Sequence, residues 1–103
     1  MRVLDDKQPW EEYYIEFDFT NAIGTAEVAS AAVSAINQAD TDSTAIVTDV
    51  TQQKIVSPYV YVWVKGGVHL SDYTITCKAL TNASPAEKYE LEAMLPVREI
   101  SRY

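Results

Sequence analysis

One cysteine and one histidine occur among 103 residues, and that scarcity closes off several kinds of chemistry. Cys77 has no second cysteine with which to form an intrachain disulfide or a cysteine-rich zinc site, and it reads as a buried apolar thiol. His69 follows Gly66-Gly67 in a loop, with no serine or cysteine elbow to make it half of a catalytic pair. Basic residues are scarce as well: eight Lys and Arg stand against 15 Asp and Glu, a net charge of −7. The bases are scattered singly from Arg2 to Arg102, so there is no patch to displace counterions from a phosphate backbone. Nucleic acid and anionic membrane are not expected partners. No apolar run approaches the ~18 residues of a membrane-spanning helix, and Met1-Arg2-Val3-Leu4-Asp5-Asp6 lacks the apolar stretch of a secretion signal. The expectation is a chain made and kept in a cytoplasm.

What is present is a packing composition. Hydrophobic residues make up 48% and aromatics 11%, seven of them tyrosine, well above a disordered acidic tail. The length suits one core and is too short for a catalytic domain beside a separate binding domain.

The apolar residues recur at a period of two along much of the chain, the mark of half-buried strands. Tyr13, Ile15, Phe17 and Phe19 share one side of the first such run, opposite Tyr14, Glu16 and Asp18. Ile46, Thr48 and Val50 share a face of Thr44 to Val50, and a short extended piece at Ile55 and Val56 ends at Pro58. Tyr59 to Val64 is wholly β-branched or aromatic: Val60, Val62 and Val64 face one way, Tyr59, Tyr61 and Trp63 the other. Gly66-Gly67 predicts a reversal. Tyr73, Ile75, Cys77 and Ala79 then alternate through Asp72 to Leu80, and Tyr89, Leu91, Ala93 and Leu95 point inward along Lys88 to Pro96. Ala22 to Gln38 is ambiguous, because Ala26, Ala29, Val33 and Ile36 fit a helix, whereas a strand needs a bulge between Val28 and Val33. Five or six short strands at about ten-residue spacing indicate an antiparallel sandwich or barrel.

Few polar clusters rise above ordinary surface. Asp40-Thr41-Asp42-Ser43-Thr44 spaces oxygens as calcium loops do, yet lacks the turn glycine and terminal glutamate, and Asx turns explain it as well. Asp5/Asp6 and Glu11/Glu12 are adjacent pairs, which in extended chain point to opposite faces instead of converging across a cleft. Asn82-Ala83-Ser84 fits a glycosylation sequon and reads as a turn. No cofactor, metal site or catalytic set is expected. The distinctive feature is the aromatic set Tyr59, Tyr61 and Trp63: a contact surface if the valines face the core, ordinary core if they do not.

The run Val62-Trp63-Val64, the Gly66-Gly67 pair and the strand opening Asp72-Tyr73-Thr74-Ile75-Thr76 resemble a group of small tailed-phage and prophage structural proteins of the fibre-tail adaptor or tail-associated type. The likeness covers nearly half the chain, with a looser match from Phe17-Asp18-Phe19 to Val33. Asp72 stands where a glycine-like turn residue is commoner, and Asn82 and Pro85 replace a glycine pair. The resemblance implies an all-β, immunoglobulin-like antiparallel sandwich of about seven strands, and moves Ala22 to Ile36 toward a bulged strand. It further implies a non-enzymatic particle component that binds other virion structural proteins at the head-tail junction, tail or fibre base, assembled in the host cytoplasm and carried in the virion. Self-association into a homo-oligomer stays open. Residues 1–9 are expected as a flexible arm and 10–103 as a single sandwich domain. The alternative is an immunoglobulin-like carbohydrate- or protein-binding module.

Overall fold

A computed structural model describes residues 1–99; residues 100–103, the end of the expected 10–103 domain, lie outside the described residues. In chain order the elements are β1 (Arg2–Val3), β2 (Tyr13–Asp18), α1 (Thr20–Ile23), β3 (Val28–Ile36), α2 (Thr44–Val47), a 3-10 turn (Val50–Gln52), β4 (Lys54–Val56), β5 (Tyr59–Val64), β6 (Ser71–Thr81) and β7 (Lys88–Val97). They form a sandwich of two sheets, ordered β1-β7-β6-β3 and β2-β5-β4. Lettered A to G, the strands divide as A-G-F-C and B-E-D, whereas immunoglobulin constant domains divide as A-B-E-D and C-F-G. The difference lies in the first strand, which pairs with β7 in parallel, so the sandwich is not wholly antiparallel.

The alternating runs become strands because each buries its apolar side against the opposite sheet. Ile15, Phe17 and Phe19 from the β2 run, Val60, Val62 and Val64 from β5, and Tyr73, Ile75, Cys77 and Ala79 from β6 form one core cluster, closed by Ala93, Leu95 and Val97 of β7. Within the smaller sheet, Ile15 pairs with Val62 and Phe17 with Val60, so the two inward rows are in register. Each fully buried valine of β5 contributes about 1.5–3 kcal/mol of transfer free energy. The burial answers the question left by β5: its valines are the core and its aromatics face outward.

The ambiguous alanine-rich stretch divides. Thr20–Ile23 forms one helical turn, and Val28–Ile36 is a strand whose register against β6 shifts between Val28 and Ser30. That irregularity lets both Val28 and Val33 lean toward the core despite their opposite parity, Val28 buried and Val33 half-buried.

Two expectations need correction. Thr44 to Val50 is not a strand but α2 followed by the 3-10 turn, which leaves Ile46 and Val50 exposed and Val47 and Thr48 buried. The cause is local: the Asp42 carboxylate accepts from both the backbone N–H and the hydroxyl of Thr44, and Asp49 does the same for Thr51. Such bonds offer the backbone a helical turn in place of a sheet ladder. At the other end of the sandwich, Leu91 is inward by parity yet partly exposed, lining an opening with Met1, Arg2 and Phe17. β1 is too short to cover it.

The residues read as a flexible arm, 1–9, run alongside β7 in the structure. Leu4 N–H donates to the Met94 carbonyl and Lys7 N–H to the Pro96 carbonyl, each at 2.9 Å. The Lys7 side chain is fully buried, and its ammonium donates to the carbonyls of Gly66 (2.7 Å), Gln8 (2.8 Å) and Pro9 (3.4 Å). Burial holds its pKa below the usual lysine value, against the opposing pull of the Glu11 and Glu12 carboxylates. Gly66 and Gly67 both take positive φ beside this cage. A Cβ on Gly67 would fall 2.8 Å from the Val97 side chain, so the reversal there requires glycine.

Candidate functional site

The three-stranded sheet turns a row of aromatic side chains outward. Tyr59, Tyr61 and Trp63 alternate with the buried valines of β5, and each is half-exposed. The antiparallel register then sets Tyr14 of β2 directly across from Trp63, Glu16 across from Tyr61, and Lys54 of β4 on the other side of Tyr61. Tyr14 meets Trp63 edge-on, with centroids 4.9 Å apart and planes at 80°, and meets Tyr61 at 6.3 Å and 76°. Tyr59 lies 6.3 Å from Tyr61. Four rings thus share one outer face, joined to one another by sheet geometry.

Polar groups fix the rings in place. Trp63 Nε1 donates to the Glu12 carboxylate at 3.0 Å, and the Tyr14 hydroxyl donates to the Gln52 carbonyl at 2.7 Å. Lys54 Nζ lies 4.7 Å from the Tyr14 ring centroid and 5.6 Å from that of Tyr61, within cation–π range. Loss of hydration raises the Tyr61 pKa, and the Glu16 carboxylate raises it further by its charge and hydrogen bond. The hydroxyl stays protonated, with its proton directed to Glu16.

The structure brings Tyr59, Tyr61 and Trp63 onto one face, as parity requires once the valines are core. Tyr14 and Lys54 belong to the same surface and escaped sequence reasoning. Tyr14 has the right parity against Ile15 and Phe17, but only the β2–β5 register shows which side chains it meets. Lys54 sits in a three-residue strand too short to show a period.

The other candidates stay apart. His69 Nδ1 accepts from the Glu99 backbone N–H at 2.8 Å. Cys77 is fully buried, and burial pushes its thiol pKa up to about 12, far from a reactive thiolate. Asp42 is engaged by Thr44, and among the described residues no group of three or more His, Cys, Asp or Glu is placed to hold a metal ion. Glu11 accepts from the Gln8 N–H while Glu12 turns to Trp63, so this pair diverges. Asn82 Oδ1 accepts from the Glu27 N–H, joining the end of β6 to the start of β3. Among the described residues no helix is long and apolar enough to cross a membrane.

The exposed edge of β3 is largely stoppered by side chains. Ser57 Oγ accepts from Val28 N–H, Gln53 Nε2 donates to the Ala31 carbonyl, and Thr44 Oγ1 accepts from Ala35 N–H. These contacts leave little uninterrupted edge for another strand to pair with.

The molecule is thus a small two-sheet sandwich whose smaller sheet carries an aromatic row on its outer face. Over residues 7–94 the chain matches the family described as Podophage GP4 fiber-tail adaptor protein gp77, and it belongs to that family. No curated protein matches the chain. No solved structure matches it either.

Proposed function

We propose that this protein is a non-enzymatic structural component of a podophage-like particle that joins fibre to tail by subunit-subunit binding. Its scaffold is immunoglobulin-like, and its contact face is the outer side of β2-β5-β4, with Tyr59, Tyr61 and Trp63 as anchors and Tyr14 completing the row. The observation that carries this reading is the edge-on cluster of half-exposed rings on a rigid sheet, tied by Glu12 and Gln52. Aromatic side chains dominate binding energy where they are held in one conformation before the partner arrives. The partners are other virion structural proteins, with a second copy of the chain among them if the adaptor forms a ring; nucleic acid and membrane are not partners. The protein is assembled in the host cytoplasm and carried in the virion.

The alternative of a carbohydrate-binding module is less favoured by the ring geometry. Sugar stacking uses open ring faces, whereas Tyr14 stands edge-on to its neighbours and carries Lys54 near its ring.

The test is co-expression with the tail and fibre proteins of the same phage, followed by isolation of assembled particles. A Tyr61→Ala/Trp63→Ala double variant that keeps its circular dichroism spectrum should drop out of the particles. Incorporation at the natural level would overturn the proposal, and glycan-array binding by a strict monomer would favour the alternative.

A further inference from the structure

The two long sides of the sandwich are finished differently. On one side the side chains of Thr44, Gln53 and Ser57 occupy the backbone of β3. On the other, β2 is the edge of the smaller sheet and pairs with β5 alone. Successive residues of an antiparallel strand turn their backbone groups alternately toward and away from the neighbouring strand. Phe19 N–H reaches the Pro58 carbonyl on the β5 side, whereas the Glu16 carbonyl is met from outside the sheet by the Arg2 guanidinium at 2.7 Å. Tyr14, Glu16 and Asp18 consequently direct their N–H and C=O groups outward, and among the described residues the Arg2 bond is the one made to them.

The same side is short of a strand. Gln53, next to β4, reaches β3, and Arg2 of β1 reaches β2, so the four strands of one sheet lie over the three of the other with a place missing beside β2. An opening of about 430 Å³ lies there, lined by Met1, Arg2, Phe17, Asp18 and residues 90–92. Its lining is mixed, three carboxylates and one guanidinium beside the apolar groups. Leu91 points between the sheets by parity and is left 36% exposed, with no strand opposite to cover it.

We infer that the outer edge of β2 is a strand-addition site, where an extended segment of another virion protein becomes the fourth strand of the smaller sheet. Main-chain bonds supply affinity in this mode, and alternate side chains select the partner. Inward side chains of the added strand meet Phe17 and Leu91 and are aliphatic. Outward ones stand beside Tyr14, Glu16 and Asp18. Glu16 already accepts from the Tyr61 hydroxyl and Asp18 from Thr20, but these neutral donors leave both charges in place, which favours lysine or arginine opposite them. Arg2 gives up the Glu16 carbonyl as the strand arrives. A second copy of β2 fits poorly: its outward row Glu12, Tyr14, Glu16, Asp18 meets itself reversed, and every antiparallel register that pairs three or more of these residues sets one carboxylate opposite another. That the occupant belongs to the virion rests on the adaptor reading, and Tyr14 joins this edge to the aromatic row.

Amide hydrogen exchange in the full chain should be fast at Tyr14, Glu16 and Asp18 and slow at Ile15 and Phe17. In particles assembled by co-expression with the tail and fibre proteins, the first three should slow about tenfold or more. This measurement needs no variant. Glu16→Pro removes one outward N–H at a position where an edge strand tolerates proline, and Glu16→Ala removes the side chain alone. With the circular dichroism spectrum kept, the proline variant should lose incorporation about tenfold and the alanine variant much less. Unchanged exchange in the particles, natural incorporation of Glu16→Pro, or equal loss in the two variants would each overturn the inference. So would self-association of the chain alone that Glu16→Pro abolishes. The proline leaves Tyr61 and Trp63 in place, and the Tyr61/Trp63 variant leaves the β2 backbone in place, so either proposal can fail alone.

Discussion

Tyr14 stands edge-on to Trp63 across the β2–β5 pair, 4.9 Å between ring centroids, and this contact ties the edge strand of the smaller sheet to its centre on the solvent side. Aromatic pairs in such geometry contribute about 0.5–1.5 kcal/mol beyond the area they bury. Tyr14→Ala removes this pair together with the hydrogen bond to Gln52 and the Lys54 contact, so it should lower unfolding free energy by more than the pair alone and weaken the near-ultraviolet circular dichroism of the tryptophans. A double-mutant cycle with Trp63→Ala isolates the pair; additivity of the two changes would show that the rings are neighbours without coupling.

Lys7 shows what periodicity conceals. Its segment reads as a flexible arm, and no sequence pattern announces that three carbonyls, one of them 59 residues away at Gly66, enclose its ammonium. By contrast β2 and β6 were legible because their buried residues recur at every second position, β5 was legible as a strand from its β-branched and aromatic composition although not in which face it buries, and even the irregularity of β3 followed from the opposite parity of Val28 and Val33. Thr44 to Val50 was misread for a related reason. Its alternation is genuine, but the bonds between Asp42 and Thr44 and between Asp49 and Thr51 act over two residues and outweigh it. For the aromatic face, β5 supplied three members by parity, and Tyr14 and Lys54 needed the strand register.

Replacing Lys7 with methionine preserves length and removes the donor. The carbonyls of Gln8, Pro9 and Gly66 then lose their partner in a buried setting, which costs about 1–3 kcal/mol. Urea titration should show the loss with little change in slope. The alkaline behaviour has a definite sign. The folded pKa lies below the ordinary 10.5, so near that range the unfolded chain holds the proton longer, and this group makes stability rise with pH up to 10.5. That component should vanish in Lys7→Met.

Cys77 works in the opposite direction. Its thiol ionises near 9.0 when unfolded and at about 12 in the core, so its contribution is complete below pH 9.0 and is lost progressively as pH rises toward 12. Tyr13, Tyr61 and Tyr89 are also raised above 10.0 and add falls of the same sign that begin later. In Cys77→Ala the onset of alkaline destabilisation should move from about pH 9.0 toward 10.0, although the baseline is lower because a small cavity is left. Unfolding free energies measured across this range check it, and an unchanged onset would assign the alkaline loss to other groups.

Three Asp-Xaa-Thr triplets open the three short helical turns: Asp18 with Thr20 before α1, Asp42 with Thr44 before α2, and Asp49 with Thr51 before the 3-10 turn. In each, the threonine hydroxyl and N–H hold the carboxyl below its ordinary value of 3.8. The stabilisation is complete above pH 3.8 and disappears as pH falls through the lowered folded values, because the unfolded chain takes up the protons first. Asp42→Asn keeps an oxygen acceptor and removes the charge, so it should retain most of the neutral-pH melting temperature and lose part of the acid dependence. Asp42→Ala removes the acceptor as well, freeing Thr44 N–H and loosening the turn that holds Ile46 outward. Melting temperatures of both variants above and below pH 3.8 separate charge from acceptor. If the two variants melt alike at neutral pH, the turn is held by the Val47 and Thr48 packing beneath it and not by the aspartate.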